Sequence, residues 1–201
     1  MMYKYSDMND ITLLNDIANS PNFKSRGQLW HKVISMLPTA CSALEFGVYG
    51  GKSINYFADA CPDSIFHGFE CFEGLPEDWI PGRPKGTFKI DKTKLRFHKN
   101  VIIHDGLFED TLPSFVDKNK DIISFIHIDC DIYSSTVTIL SELKHIILEH
   151  KPIVLFDEFY NYSGFESHEF KAFIEFINST NVQYSILGKN ITHQQVLFQI
   201  T

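Results

Sequence analysis

The sequence lacks the features of a secreted, disulfide-stapled or membrane-embedded protein. Its 201 residues include four cysteines, and these form neither a CxxC pair nor a spacing typical of zinc ligands. No apolar run is long enough to span a membrane, and the start, MMYKYSDMND, lacks the apolar core of a signal peptide. We therefore expect a cytoplasmic protein with reduced thiols that does not bind membranes.

The chain also lacks an excess of positive charge. Its formal net charge is −7, and no basic cluster stands out by inspection, which argues against nucleic acid as a main partner. We see no internal repeat. The length fits a single domain over residues 1–201 with a full-sized core, so the expected partner is a small molecule, and a homodimer is left open.

Short apolar runs alternate with amphipathic segments through most of the chain. Strands separated by helices indicate a parallel sheet covered on both faces. We therefore predict an α/β fold, namely a doubly wound, Rossmann-like sheet of seven strands, mostly parallel, with an antiparallel hairpin at its C-terminal end. The predicted strands are 42–48, 64–70, 99–105, 122–129, 152–159, 182–188 and 193–200, and the predicted helices are 7–19, 25–36, 51–60, 109–117, 134–149 and 165–178.

Two segments lie outside this alternation. Residues 1–38 carry the two N-terminal helices, and residues 74–100 form a long irregular stretch, GLPEDWIPGRPKGTFKIDKTKLRFHKN, rich in proline and glycine in its first half. Long loops inside compact domains are usually functional. We therefore predict that residues 74–100 form a lid or an acceptor-binding loop.

The turn after the first predicted strand, LEFGVYGGKS, resembles a nucleotide-binding turn. Gly47 and Gly51 allow the backbone to turn tightly and to approach a ligand closely. The dinucleotide fingerprint GxGxxG is not met because Tyr49 occupies its second glycine position, which disfavours a nicotinamide cofactor. Glu45, inside the apolar strand, suits a cationic amino-acid-type ligand better than a phosphate.

Acidic residues end the second and third predicted strands. Glu70 follows Glu45 by 25 residues and can accept hydrogen bonds from ribose hydroxyls. Asp105 can reach an adenine amino group. Each acid taken alone is also compatible with an exposed strand end. Together they favour an adenosine that carries positive rather than negative charge, as S-adenosylmethionine does.

Further acids end the fourth and fifth predicted strands. Asp129 and Asp131 follow the apolar run IISFIHI, and alternate residues of an extended chain share a face. Asp157 and Glu158 end the fifth strand in FDEF, with no Lys or Arg beside them in sequence. If the two strands are neighbours, Asp129, Asp157 and Glu158 converge and suit Mg²⁺, which prefers hard oxygen ligands. The alternative is a set of solvated carboxylates.

Six blocks of the sequence, in order, resemble the macrocin-type O-methyltransferases. They are EFGVYGGKS, GFECFEGLPEDW, GTF, GLFEDTLP, HIDCDIYSST and FDEF, within residues 44–176. That family comprises class I S-adenosylmethionine enzymes that methylate sugar hydroxyls, often on macrolides. The resemblance implies a magnesium ion at Asp129 and at the pair Asp157–Glu158, where the family has two aspartates, so Glu158 is a departure.

The sequence thus predicts a metal-assisted O-methyltransferase acting on a sugar-like hydroxyl. Asp129 is the predicted base, and His168 is the alternative, because Ile132 stands where catechol O-methyltransferases place a lysine. Asp131 orients the acceptor, binds the amino-acid end of the cofactor or fixes the following turn. A metal-independent methyltransferase and a non-catalytic nucleotide-binding domain remain the competing hypotheses. The predicted cofactor-binding residues are Glu45, Gly47, Tyr49, Gly51, Ser53, Glu70, Asp105 and Asp131.

Overall fold

In a computed structural model, which describes residues 8–201, one twisted sheet runs through the molecule with helices on both faces. The helices are α1 (Met8–Asn19), α2 (Arg26–Ile34), α3 (Lys52–Ala60), α4 (Phe108–Lys118), α5 (Tyr133–Glu142), α6 (Lys144–His150) and α7 (Glu169–Thr180). The strands are β1 (Asn22–Phe23), β2 (Ser42–Phe46), β3 (Ile65–Glu70), β4 (Val101–Asp105), β5 (Ile123–Ile128), β6 (Ile153–Phe156), β7 (Tyr184–Asn190) and β8 (Val196–Ile200).

The strand order confirms the predicted Rossmann-like fold. It is β1-β7-β8-β6-β5-β2-β3-β4, and all pairs are parallel except those that β8 makes with β6 and β7. The sheet has eight strands rather than the predicted seven. The additional strand, β1, has only two residues, which pair with Lys189 and Asn190 of β7, and two residues are too few to show an alternating pattern.

Strand β5 lies between β2 and β6 at the centre of the sheet. Phe46 pairs with Ile128, which in turn pairs with Phe156. The three strands therefore end at the same level. Asp129 directly follows the end of β5, and Asp157 directly follows the end of β6. The two acids therefore lie at neighbouring strand ends, as predicted for adjacent fourth and fifth strands.

Several predicted elements have different bounds in the structure. The predicted helix 134–149 is two helices, α5 and α6, separated at Leu143. The predicted helix 165–178 starts as a 3₁₀ turn, Phe165–Ser167, and His168 leaves the helical conformation before α7 begins. Residue 7 of the first predicted helix lies outside the described residues. The predicted strands 42–48, 122–129 and 152–159 ran past the observed ends of β2, β5 and β6, whereas 182–188 stopped two residues before the end of β7.

Two hydrophobic clusters cover the two faces of the sheet. One contains Leu44 and Phe46 of β2 with residues of α1, α4, α5, α6 and α7, and the other contains Ala43 with residues of α2 and α3. Alternate residues of a strand point to opposite faces. Glu45, between Leu44 and Phe46, therefore points to the face that α3 covers. Among the described residues, no helix combines the length and apolarity that crossing a membrane would need.

Residues 74–100 are irregular, as predicted, apart from one 3₁₀ turn at Lys92–Lys94. Backbone hydrogen bonds from Leu75 to Thr87 and from Gly86 to Leu75, each 2.8 Å, close the first half into a loop. The indole of Trp79 packs edge-on against Tyr162, with ring centroids 5.9 Å apart. This half of the segment, residues 75–87, is called the lid loop below.

Candidate active site

A cavity of about 410 Å³ opens beyond the carboxyl ends of the central strands. It lies where ligands bind in doubly wound sheets. Five predicted cofactor-binding residues and all three predicted metal ligands line it, namely Gly47, Tyr49, Ser53, Glu70, Asp131, Asp129, Asp157 and Glu158. The lining does not include Glu45, Gly51, Asp105 or His168.

The glycine turn after β2 brings the backbone against β5. Gly47 has φ +87°, and a Cβ atom there would collide with the carbonyl oxygen of Asp129. Gly51, with φ +76°, is the N-cap of α3, and a Cβ there would meet the ring of Phe97 at 2.8 Å. Both positions therefore require glycine, one for close approach to Asp129 and both for a left-handed backbone.

Glu70 is fixed at the mouth of this turn by two backbone groups. Its two carboxylate oxygens accept hydrogen bonds from the amides of Tyr49 and Phe72, each at 2.8 Å. Each oxygen retains a further lone pair, so the carboxylate can still accept hydrogen bonds from a diol. Tyr49 has a positive φ of 45° and packs edge-on against Phe88.

Glu45 lies behind the cavity wall and holds a histidine that sequence reasoning did not select. One oxygen accepts a hydrogen bond from Ser53 at 2.9 Å, and the other lies 2.9 Å from Nδ1 of His127. The other ring nitrogen of His127 is 3.7 Å from Asp157. Burial by itself lowers the pKa of His127, but the nearby carboxylate of Asp157 and the hydrogen bond to Glu45 outweigh it and raise that pKa to about 10. Glu45 is thus placed to orient His127, and its direct contact with a cofactor stays a prediction.

Asp157 is the carboxylate that the structure keeps ionised. Burial raises its pKa, but the nearby charges of His127 and Arg26 reverse the effect, so that the pKa lies below its ordinary value. Arg26, the first residue of α2, donates a 2.6 Å hydrogen bond from Nη2 to Oδ2 of Asp157. No Lys or Arg stands beside these acids in sequence, but the fold brings Arg26 to Asp157 from 131 residues away.

The other acids of the cluster have raised pKa values, in contrast to Asp157. Burial and then repulsion by Asp157 raise the pKa of Asp129 and of Glu158 well above their ordinary values. Glu169, fully buried at the start of α7, has its pKa raised by burial and then by Asp131. It accepts a 3.2 Å hydrogen bond from the amide of Glu158. The cluster thus has more carboxyl groups than nearby cations can neutralise.

The geometry of this cluster suits a bound cation. Ligand atoms of His127, Asp129 and Asp157 all lie within 4.8 Å of one another. In the structure, Nε2 of His127, Oδ1 of Asp157 and Oε2 of Glu158 are buried without a hydrogen-bond partner. Buried polar atoms without partners are uncommon and call for an explanation such as an ion.

The other predicted residues occupy different surroundings. Asp131 lines the cavity at a left-handed φ of 67°, and burial raises its pKa to about 7. Asp105 forms an ion pair with Lys92. His168 bonds through Nδ1 to the hydroxyl of Tyr162 at 3.0 Å, and burial lowers its pKa. Asp105 and His168 are therefore separated from the cavity, and their predicted roles would require movement.

Sequence reasoning missed His127, Arg26 and Glu169. His127 did carry a signal, because it stands two residues before Asp129 in HID and so shares its face of the strand. Neither Arg26 nor Glu169 carries a comparable local signal. A helix supplies each of them from a distant part of the chain.

Comparisons with known proteins agree with this site. A family model described as a methyltransferase domain matches residues 44–159, more than half of the chain. No curated protein matches the sequence. The chain therefore belongs to the methyltransferase-domain family, and it is an S-adenosylmethionine-dependent methyltransferase.

Solved structures show the same fold at low sequence identity. A calicheamicin methyltransferase has a TM-score of 0.68 at 17% identity, covering 99% of this chain and 94% of that one. An apo structure of the same enzyme, described as a TDP-rhamnose 3′-O-methyltransferase of calicheamicin biosynthesis, has a TM-score of 0.57 at 16% identity, with 99% and 96% covered. A methyltransferase of the mycinamycin pathway, in complex with Mg and S-adenosylhomocysteine, has a TM-score of 0.53 at 12% identity, with 80% and 45% covered.

Proposed function

We propose that the protein transfers a methyl group from S-adenosylmethionine to a hydroxyl of a sugar or related small molecule, assisted by a divalent cation. The observation that carries this proposal is the cluster of carboxyl groups that opens into the cavity beside the glycine turn. The TDP-rhamnose O-methyltransferase and the Mg-containing mycinamycin-pathway enzyme have the same fold, and they support a sugar hydroxyl and a metal respectively. The macrocin-type blocks point the same way.

Residues on the cavity wall can hold the cofactor. Gly47 and Tyr49 present the backbone of the turn, and Glu70 is oriented by two amides to accept hydrogen bonds from a ribose. Asp131 lies across the cavity, where its carboxylate suits the cationic ammonium group of the methionine end. The cofactor supplies the methyl group on a sulfonium, which carries a positive charge that these acids favour.

The residues present fit a divalent cation. Asp129 and Asp157 are the proposed ligands, with Glu158 as the third, because an oxygen donor suits Mg²⁺. His127 is the alternative third ligand and would favour a softer ion such as Zn²⁺. Bound there, the cation would lower the pKa of an acceptor hydroxyl and hold its oxygen towards the methyl group. A neutral His127 would be needed for ligation, so binding through it would release the proton that Glu45 and Asp157 stabilise.

Asp129 is the proposed base. Asp129 lines the cavity, and burial and repulsion favour its protonated form, whereas Asp157 stays ionised beside Arg26 and His127, so Asp129 is the one of the two that is placed to take up a proton. As the acceptor oxygen takes the methyl group, its proton passes to Asp129 and S-adenosylhomocysteine remains. His168 stays the alternative base. It would have to exchange its hydrogen bond with Tyr162 for one to the acceptor.

One observation favours a second candidate, methyl transfer without a metal. Arg26 and His127 already place two positive charges on Asp157. They reduce the repulsion that a metal would otherwise relieve. In this alternative, Asp129 acts as the base unaided.

Turnover assays with labelled S-adenosylmethionine and a panel of sugar nucleotides and glycans test the proposal. Chelation should abolish turnover, and Mg²⁺ should restore it. Asp129→Asn should reduce kcat more than Glu158→Gln, because only Asp129 is both ligand and base. Calorimetry with S-adenosylhomocysteine serves as the control and should show binding in both variants. Full activity in excess EDTA would reject the metal and select the second candidate.

A further inference from the structure

The most basic segment of the chain, residues 83–99, starts within the lid loop. Residues 83–99 contain seven of the 18 Lys and Arg residues and a single acid, Asp91, in a protein of net charge −7. No uninterrupted basic run marks this cluster, because one to three other residues separate each cation from the next. The expectation that the chain has no basic cluster is therefore wrong.

Most cations at the far end of this segment are already engaged. Lys89 pairs with Glu73 and Lys92 with Asp105, while Lys94 lies 3.3 Å from Asp91. Arg96 donates to the carbonyl oxygens of Thr93 and Leu95. Arg83, like Lys85 and Lys99, has no carboxylate of the described part of the chain within ion-pair distance.

Arg83 is also fixed in place beside the cavity. Its amide donates to the carbonyl of Ile80 at 2.8 Å, and its carbonyl accepts from the amide of Trp79 at 3.0 Å. Its guanidinium lies over the ring of Phe88, 5.4 Å from the centroid, and Phe88 lines the cavity.

The lid loop is anchored on both sides of Arg83. Glu77 accepts a 2.8 Å hydrogen bond from Ser134 at the start of α5, and Asp78 accepts one of 2.7 Å from the amide of Lys85. Because the loop is ordered, Arg83 loses less conformational entropy when it binds a ligand than a mobile side chain would. An arginine presents a planar fork that matches phosphate oxygens.

The interior of the cavity is unfavourable for a phosphate group. Six acids line it, and its two lining cations are Arg26, which is paired with Asp157, and Lys52. We propose that Arg83 of the lid loop binds a phosphate or diphosphate group of the acceptor, while the acceptor's hydroxyl reaches the acids inside. This inference rests on the proposed function and assigns the acceptor to the phosphate-bearing class, such as a nucleotide-activated sugar.

Calorimetry on the full chain tests this inference. The protein is first saturated with S-adenosylhomocysteine in EDTA, so that the probes cannot use the cofactor site or a metal. Inorganic pyrophosphate and thymidine 5′-diphosphate are then titrated, with thymidine as the uncharged comparison. Arg83→Gln should weaken diphosphate binding by at least about tenfold, as expected for a charged hydrogen bond. Lys94→Gln removes one positive charge from a paired lysine of the same segment and should change binding less than about twofold.

The outcomes separate this inference from the proposed function. Binding of S-adenosylhomocysteine by Arg83→Gln with wild-type affinity shows that the cofactor site is intact and that any loss belongs to the anion. Equal diphosphate affinity in the wild type and in Arg83→Gln would overturn the inference, as would thymidine binding as well as its diphosphate. So would absence of diphosphate binding in a wild-type protein that binds S-adenosylhomocysteine. Failure to bind S-adenosylhomocysteine at all would instead refute the proposed methyl transfer.

Discussion

The charge of His127 is expected to hold the buried centre of the molecule together. Its side chain is fully buried between Glu45 and Asp157, which are 2% and 1% exposed. In His127→Leu, Asp157 keeps its hydrogen bond to Arg26, but Glu45 keeps only that from Ser53. Removing one partner of a buried ion pair costs about 3–5 kcal/mol, because the other charge stays buried. We expect His127→Leu to lower the free energy of unfolding by about that much.

Urea unfolding followed by tryptophan fluorescence measures this change. The slope with urea should stay constant, so that a shift of the midpoint reports stability alone. His127→Gln, which keeps a donor towards Glu45 but no charge, should fall between the wild type and His127→Leu.

A double-mutant cycle isolates the charge. Glu45→Gln, introduced into His127→Leu, should recover about half of the lost stability, because it removes the unpaired carboxylate. A loss below about 1 kcal/mol in His127→Leu would show that His127 is held neutral. An absence of rescue by Glu45→Gln would show that packing, rather than charge, explains the loss. Either result would refute the reasoning.

Three further predictions concern the cofactor site, the turn and the sheet edge. Glu70→Ala should weaken S-adenosylhomocysteine binding by about 1–3 kcal/mol in calorimetry, and unchanged affinity would remove Glu70 from the site. Gly47→Ala should cost more than about 2 kcal/mol in urea unfolding because of the collision with the backbone. Gly82→Ala is the matched control, since Gly82 also has a positive φ but faces open space, and an equal cost would refute the close approach. Burial and then the charge of His104 lower the pKa of His67 to about 4. The unfolded chain, with an ordinary histidine pKa of about 6.5, therefore binds the proton more readily. Stability from this group is complete above pH 6.5 and is lost as the pH falls towards 4, by about 1 kcal/mol at pH 5 after allowing for solvent screening. Thermal unfolding at pH 7 and pH 5 should show a smaller drop for His67→Gln, and an identical drop would exclude this histidine.

Local patterns were sufficient for the order of the elements. Apolar alternation separates strands from helices within a few residues, so the five parallel strands and the closing hairpin were predicted. The same patterns could not predict β1, which has two residues, or the break at Leu143 between α5 and α6. Two residues are too few to show a pattern, and at Leu143 the apolar pattern continues across the break, so packing decides at both points where the hydrogen bonds are made.

The sequence by itself determined that acids and a glycine turn meet at one edge of the sheet. Parallel strands present their carboxyl ends together, so Asp129, Asp157 and Glu70 had to face one cavity once the strand order was known. The left-handed turn at Gly47 follows from the same local rules, because only glycine fits a backbone that touches the neighbouring strand.

Only the tertiary structure decided how those acids are charged. Charge pairing depends on distances in space, and Arg26 reaches Asp157 from a helix 131 residues away. His127 becomes cationic because the fold encloses it between Glu45 and Asp157, whereas burial alone would have kept it neutral. The backbone hydrogen bonds of the lid loop likewise place Arg83 over Phe88, five residues further on, in a segment with no periodicity from which the contact could be predicted. The residue types present in the chain therefore predicted the kind of site, and the packing of its helices and loop set the ionisation of each group in it.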